Sequence, residues 1–250
     1  MSNRSKDHYL PAALMGRGFG RIKQGRGSRE ATLAVRFTAS PGIPAEIRRA
    51  ENIAYDYDLY HVDDPCADLP ASYAEDIWKQ YEDKLPGAAK ALEGQAWHFS
   101  DWLIVLDHIQ AAWVRQPGFD QEVRTYLAAH GIANPSNDKI EDVRRLIHQQ
   151  MRDYLHTARF AIVRRHESAR HFIISNRGYT PMADSLDQHS GALFPLTSNV
   201  AVLMARDAAQ AGDDIEAGPS AELVLNPGGA KSFHAATWNR DDIEFVAGHP

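Results

Sequence analysis

The sequence predicts an α+β fold, a helical central region packed with a mixed or antiparallel sheet formed by N- and C-terminal strands. Two observations carry the prediction. Between about residues 72 and 158 apolar residues recur at helical spacing, whereas towards both ends they alternate or cluster in short β-prone runs. A short strand is not stable alone, so the strands at the two ends are expected to meet in one sheet.

The elements follow in order. Residues 1–6 are polar, expected to be disordered, and lead to His8-Tyr9-Leu10-Pro11, with Tyr9 expected to anchor the segment in the core. Residues 16–30 carry Gly16, Gly18, Gly20, Gly25 and Gly27 among Arg17, Arg21, Lys23 and Arg26, and read as a mobile basic loop. The Gly-x-Gly-x-Gly run is not read as a dinucleotide site, because no strand precedes it and Gly25-Arg26-Gly27 would break the helix that must follow. Leu33, Val35 and Phe37 alternate with smaller or polar residues at strand period, and Pro41 and Pro44 terminate the run. Residues 45–52 are expected as a short helix. Tyr55, Tyr57 and Tyr60 lead into the acidic loop Asp63-Asp64-Pro65.

Ser72-x-x-Glu75 is a capping box, followed by Ile77, Trp78, Tyr81 and Leu85 at helical spacing. Pro86-Gly87 then stops or kinks that helix, because proline lacks the backbone donor and crowds the preceding turn. A second helix starts after Ser100, with Asp101 near its positive end. Residues 102–114 are apolar on most sides and should be the most buried helix. A third helix covers 120–130, with Gly131 as its cap. The longest runs from about Asp138 beyond Ala158, burying Ile140, Val143, Ile147, Met151, Tyr154 and Leu155. Strand-like runs follow at 171–175, 192–196, 200–205, 222–225 and 243–246, with a short helix at 230–238.

A length of 250 residues suits one domain with a full core. Hydrophobic residues make up 44% and charged residues 24%, as in ordinary globular chains. The net charge of −6 disfavours a generic nucleic-acid binder, whose affinity comes mainly from neutralising phosphates. A lone cysteine, Cys66, cannot form an internal disulfide, which suits a reducing, cytoplasmic setting. No signal core and no apolar run of about 18 residues is present, so no membrane partner is expected. Metal, Walker and serine-elbow motifs are absent.

The polar residues inside the helical region are the informative ones. Asp107 and Gln110 face nearly the same way, while His108 and Arg115 share a different face two turns apart. Glu82 lies on the preceding helix and is a candidate partner for Arg115. Arg144, His148, Arg152 and His156 fall at four-residue intervals and form a basic stripe, read as a solvated face or a phosphate site.

In order and spacing, His8-Tyr9-Leu10-Pro11, Glu82, Gln110 with Arg115 and Pro117, Ser175-Asn176 and Phe194-Pro195-Leu196-Thr197 resemble the bacterial family called domain of unknown function 4238. Its members open with His-Tyr-Val-Pro, carry a helix ending in Gln-x-x-x-x-Arg-x-Pro and have a strand ending in Ser-Asp-Asn-Pro. The resemblance spans roughly residues 7–247. It implies His8, Glu82 and Ser175 as catalytic candidates and Gln110, Arg115 and Asn176 as substrate-binding ones, with no metal and no cofactor. The chain departs from the family at Asn176, where the aspartate is usual, and at Arg177-Gly178-Tyr179-Thr180, inserted before Pro181.

Two functions fit this pattern. One is an enzyme acting on an anionic small molecule, a phosphodiester or carboxylated metabolite, held by the planar fork of Arg115. The other is a non-catalytic interaction or regulatory protein, in which the same residues form a structural buried polar network.

Overall fold

The computed structural model describes residues 6–40, 42–57, 59–60, 73–116, 118–183, 190–206, 218–238 and 243–250. The Asp63-Asp64-Pro65 loop, Cys66, the Ser72 cap and Pro117 lie outside them, as do residues 1–5.

The fold is α+β, built in three layers about a five-stranded sheet. That sheet contains β5 (Arg159–Arg165), β7 (Thr180–Ala183), β8 (Ser190–Pro195), β9 (Val200–Arg206) and β10 (Ala221–Leu225), in the order β10-β5-β9-β8-β7. It is antiparallel except for the parallel β10–β5 pair. Side chains alternate across a strand, so the two faces serve different cores. Phe160, Ile162, Phe194, Val200, Val202 and Met204 face the helical layer. Val163, Leu193 and Ala201 face the opposite way, into a second core.

The helical layer consists of α2 (Tyr73–Glu82), α3 (Leu85–Glu93), α4 (Phe99–Arg115), α5 (Phe119–Ala129) and α6 (Asn137–Leu155). Two helices meet here, as the sequence predicts, but the break falls at residues 83–84; Pro86 occupies the first turn of α3, where its missing N–H costs nothing. Asp101 caps α4, its carboxylate accepting the His98 N–H at 2.8 Å. Trp102 of α4 meets Phe160 edge-on at 5.3 Å, seating the helix on the sheet. Ser136 caps α6, and Gly131, at a φ of +85°, closes α5.

The second core is covered by α1 (Ala12–Phe19) and by a four-stranded sheet ordered β3-β2-β11-β6. Its strands are β2 (Thr32–Phe37), β3 (Glu46–Arg49), β6 (Ile174–Ser175) and β11 (Phe245–Gly248). β2 pairs antiparallel with β11, joining the two ends of the chain as expected. A two-stranded ribbon of β1 (Lys6–His8) and β4 (Tyr55–Tyr57) and the helix α7 (Pro227–Trp238) complete the described elements.

Four expectations are corrected. The longest helix does not run beyond Ala158: α6 ends at Leu155 and β5 begins at Arg159. Lys6, assigned to a disordered terminus, begins β1. Residues 12–19, half of them assigned to a mobile loop, form α1: Leu14, Met15 and Phe19 are sealed in the core, and the glycines are sites of close approach. A Cβ on Gly16 would collide with the Ser28 carbonyl oxygen, and one on Gly18 would lie 2.5 Å from that of Leu196. Beyond this helix Arg21 bridges to Thr32, and residues 28–30 form a 3-10 turn. Residues 46–49, expected as helix, form β3, because the open edge of β2 supplies a ladder that local propensity does not register.

Candidate functional site

The centre of the predicted site is Arg115, the last residue of α4, whose side chain is 3% exposed. Tyr81 and Glu82 lie three and four residues beyond Trp78 on α2, one turn on, so all three reach it from the same side of the helix. Arg115 Nη1 donates to the Glu82 carboxylate and, at 3.3 Å, to the Tyr81 hydroxyl. Its Nε donates to the Tyr60 hydroxyl at 3.3 Å, and its Nη2 to the backbone carbonyl of His8. The guanidinium carbon also lies 5.2 Å from the Trp78 ring centroid. A guanidinium has five N–H groups in a fixed plane, and four of these bonds end on groups of its own chain.

His8 therefore joins the cluster through its backbone. Its imidazole points to the Glu51 carbonyl at 3.3 Å and lies 5.8 Å from the Tyr55 ring, tying β1 to the segment beside β4. Tyr9 is in the core as expected. His108 does share the Arg115 face. It is buried, its Nε2 has no hydrogen-bond partner among the described residues, and burial, with the charge of Arg115 second, pushes its pKa down to about 3. That imidazole stays neutral at physiological pH.

Gln110 goes elsewhere. Its Nε2 donates to the His148 carbonyl at 2.7 Å, clamping α4 to α6. Asp107, on the same side, feels Arg152 of α6, while burial raises its carboxyl pKa. Ser175 and Asn176 also serve the scaffold. The Ser175 hydroxyl donates to the Tyr179 carbonyl at 3.4 Å, and among the described residues no imidazole or carboxylate bonds to it. Asn176 accepts the Glu244 N–H at 3.0 Å and donates its own N–H to the Phe245 carbonyl, tying β6 to the start of β11. The turn closes through Gly178, at a φ of +80°, where a Cβ would strike Leu10. The structure thus unites Arg115 with Glu82 and with the backbone of His8, and places Gln110, Ser175 and Asn176 in separate packing contacts.

Sequence reasoning missed the second arginine cluster. Arg144, read as part of a basic stripe, is buried; it donates to Glu141 at 2.8 Å, to Asp120 and to the Val114 carbonyl, with its guanidinium carbon 4.5 Å from the Phe119 ring centroid. Arg152 and His156 remain on the exposed face. His148 is intermediate, its ring edge-on to Trp78 at 5.3 Å, and its pKa is lowered by burial and then by Arg152. A cavity of about 30 Å³ lies between Trp78, Arg144 and His148, which is room for about one water. The Glu141–Arg144 spacing of three on α6 was the available signal.

Among the described residues no cluster of His, Cys, Asp or Glu is arranged to hold a metal ion, and no helix is long and apolar enough to cross a membrane. No family model, no curated protein and no solved structure matches this chain.

Proposed function

We propose that this chain is a non-catalytic interaction or regulatory protein whose scaffold is fixed by buried polar networks around Arg115 and Arg144. The carrying observation is that Arg115, the residue best suited to grip an anionic substrate, is enclosed and spends its donors on Glu82, Tyr60, Tyr81 and the His8 carbonyl. A substrate anion would have to exchange with a carboxylate already in place. Ser175 supports the same reading, since its hydroxyl serves a carbonyl instead of a base. Membership of the domain of unknown function 4238 family is part of this proposal and rests on the motif residues; among them His8, Glu82 and Arg115 would lock α2, α4 and the β1 segment together.

The test is a double-mutant cycle on Arg115→Met and Glu82→Gln, read by urea denaturation without ligand. Removing one partner of a buried pair is expected to cost roughly 3–5 kcal/mol. The coupling between the two is expected at about 0.5–3 kcal/mol. Single variants as stable as the parent would overturn the structural role. The second reading, an enzyme acting on a phosphodiester or carboxylated metabolite, is supported by the 18% exposure of the Glu82 side chain, the side from which a substrate would displace it. That reading requires Arg115→Ala to remove ligand binding while leaving stability unchanged.

A further inference from the structure

The outer face of the four-stranded sheet carries a basic cleft remote from Arg115. Pairing of β2 with β11 sets Arg36 opposite Val246 and Ala34 opposite Gly248 on one face. Ala34 and Gly248 have little or no side chain, so the sheet forms a low floor there. Along one rim runs α7, whose His234 and Trp238 are four residues apart and share a face. Arg170 and His249 complete the lining. This open cleft has a volume of about 380 Å³, within the roughly 300–1,000 Å³ typical of small-molecule sites.

The charge of this cleft sets it apart. Among the described residues two arginines and two histidines line it and no aspartate or glutamate does, on a chain whose net charge is −6. Neither Arg36 nor Arg170 has a carboxylate partner among the described residues; the contact of Arg36 is with the Trp238 ring, 5.8 Å from its centroid. A second large cleft among the described residues makes a direct comparison. That one, of about 400 Å³ beside β3, holds Arg48 and Glu46, which neutralise each other at 2.7 Å. The His234 Nε2–H is committed to the His171 carbonyl at 2.8 Å, which fixes the ring at the cleft wall. His171 and His249 stack at 5.9 Å and extend the flat surface beyond it.

We propose that this cleft binds a phosphate-bearing small molecule that also carries an aromatic ring, a mononucleotide being the chemistry that uses both parts. The phosphate sits between Arg36 and Arg170, whose planar forks suit its oxygens. The base lies against Trp238 and His249, where stacking is tolerant of base identity. The inference is independent of the Arg115 cluster and survives if that cluster proves catalytic.

The experiment is calorimetric titration of the full chain with each common nucleoside monophosphate, with inorganic phosphate, with adenosine and with a short single-stranded DNA. A nucleoside monophosphate is expected to bind one to one, with inorganic phosphate weaker by about tenfold or more and adenosine weaker still. Arg36→Ala and Arg170→Ala should each weaken both phosphate ligands by about tenfold. Trp238→Leu should weaken the nucleotide and leave inorganic phosphate unchanged. Arg21→Ala, an exposed arginine outside the cleft, should change nothing. The proposal is overturned if no monophosphate binds at millimolar concentration, or if binding ignores both cleft arginines. It is equally overturned if the single-stranded DNA binds far more tightly than any monophosphate, which would assign the face to nucleic acid.

Discussion

Two buried residues of α4 decide how far the polar interior can be tested. Arg115 and His108 lie on one face, one permanently charged and satisfied, the other kept neutral. The folded His108 has its pKa pushed down to about 3 by burial, whereas in the unfolded chain it titrates near 6.5. As pH falls below about 6.5, the unfolded chain takes up a proton that the folded one refuses, so stability is lost between roughly pH 6.5 and 3 and is unaffected above. The loss is at most about 1.4 kcal/mol per pH unit. Replacing His108 with Leu should flatten this acid limb, measured as urea midpoints at about pH 7, 5 and 4. Parallel losses in parent and variant would mean that other groups govern acid sensitivity. At this scale the sequence was legible where chemistry is local: the shared face of His108 and Arg115 follows from helical spacing, whereas the pairing of Glu82 with Arg115, on another helix, was offered by the motif resemblance. It was silent on Tyr60 and the His8 carbonyl, because a hydrogen bond from a side chain to a distant backbone leaves no spacing to read.

Elements were legible in proportion to their length and periodicity. The helices α4 and α6 carry several turns of pattern and caps at their starts, so they are recoverable within a few residues. The strands β1, β4 and β6 are two or three residues long and exist only because a partner lies beside them. The strand β5 hides between basic ends, which look like the tail of the preceding helix. The helix α1 hides because its glycines, read as flexibility, are there for contact. This last point has a paired test. Gly16→Ala should cost roughly 1–3 kcal/mol, since the Cβ meets the Ser28 carbonyl in a close-packed site. Gly87→Ala, in α3 with nothing within 4 Å, should stabilise by about 0.4–1 kcal/mol. Equal effects from both would show that α1 does not dock as described. A second pair measures the burial of α4. Leu106, 5% exposed, should cost roughly 2–5 kcal/mol on truncation to Ala. Leu103, 41% exposed on the same helix, should cost far less; thermal melts of the two variants separate the outcomes.

At the scale of the whole molecule the question is whether two cores behave as one. The helical core and the core beneath the four-stranded sheet touch opposite faces of β5, β8 and β9, and successive residues of each strand belong to different cores. Ile162 and Val163, or Phe194 and Leu193, cannot be released from one side while their backbone stays fixed for the other. The shared sheet should therefore couple the layers into a single transition. Ala247 offers the lever. It is buried in β11 between Val35 of β2 and Ile174 of β6, in the second core and not in the helical one. A carboxylate there has no partner, and an unpaired buried charge is among the changes that destabilise most. Ala247→Asp should lower the urea midpoint, with far-ultraviolet circular dichroism, dominated by the helical layer, and near-ultraviolet signals falling together. Val224→Asp on the exposed edge of β10 is the control and should leave the midpoint nearly unchanged. Two separated transitions, with helical signal surviving after the four-stranded sheet is lost, would show that the alternating strands do not transmit the damage. The molecule would then be two stacked units, and the meeting of its N- and C-terminal strands would be an addition to the fold instead of a condition for it.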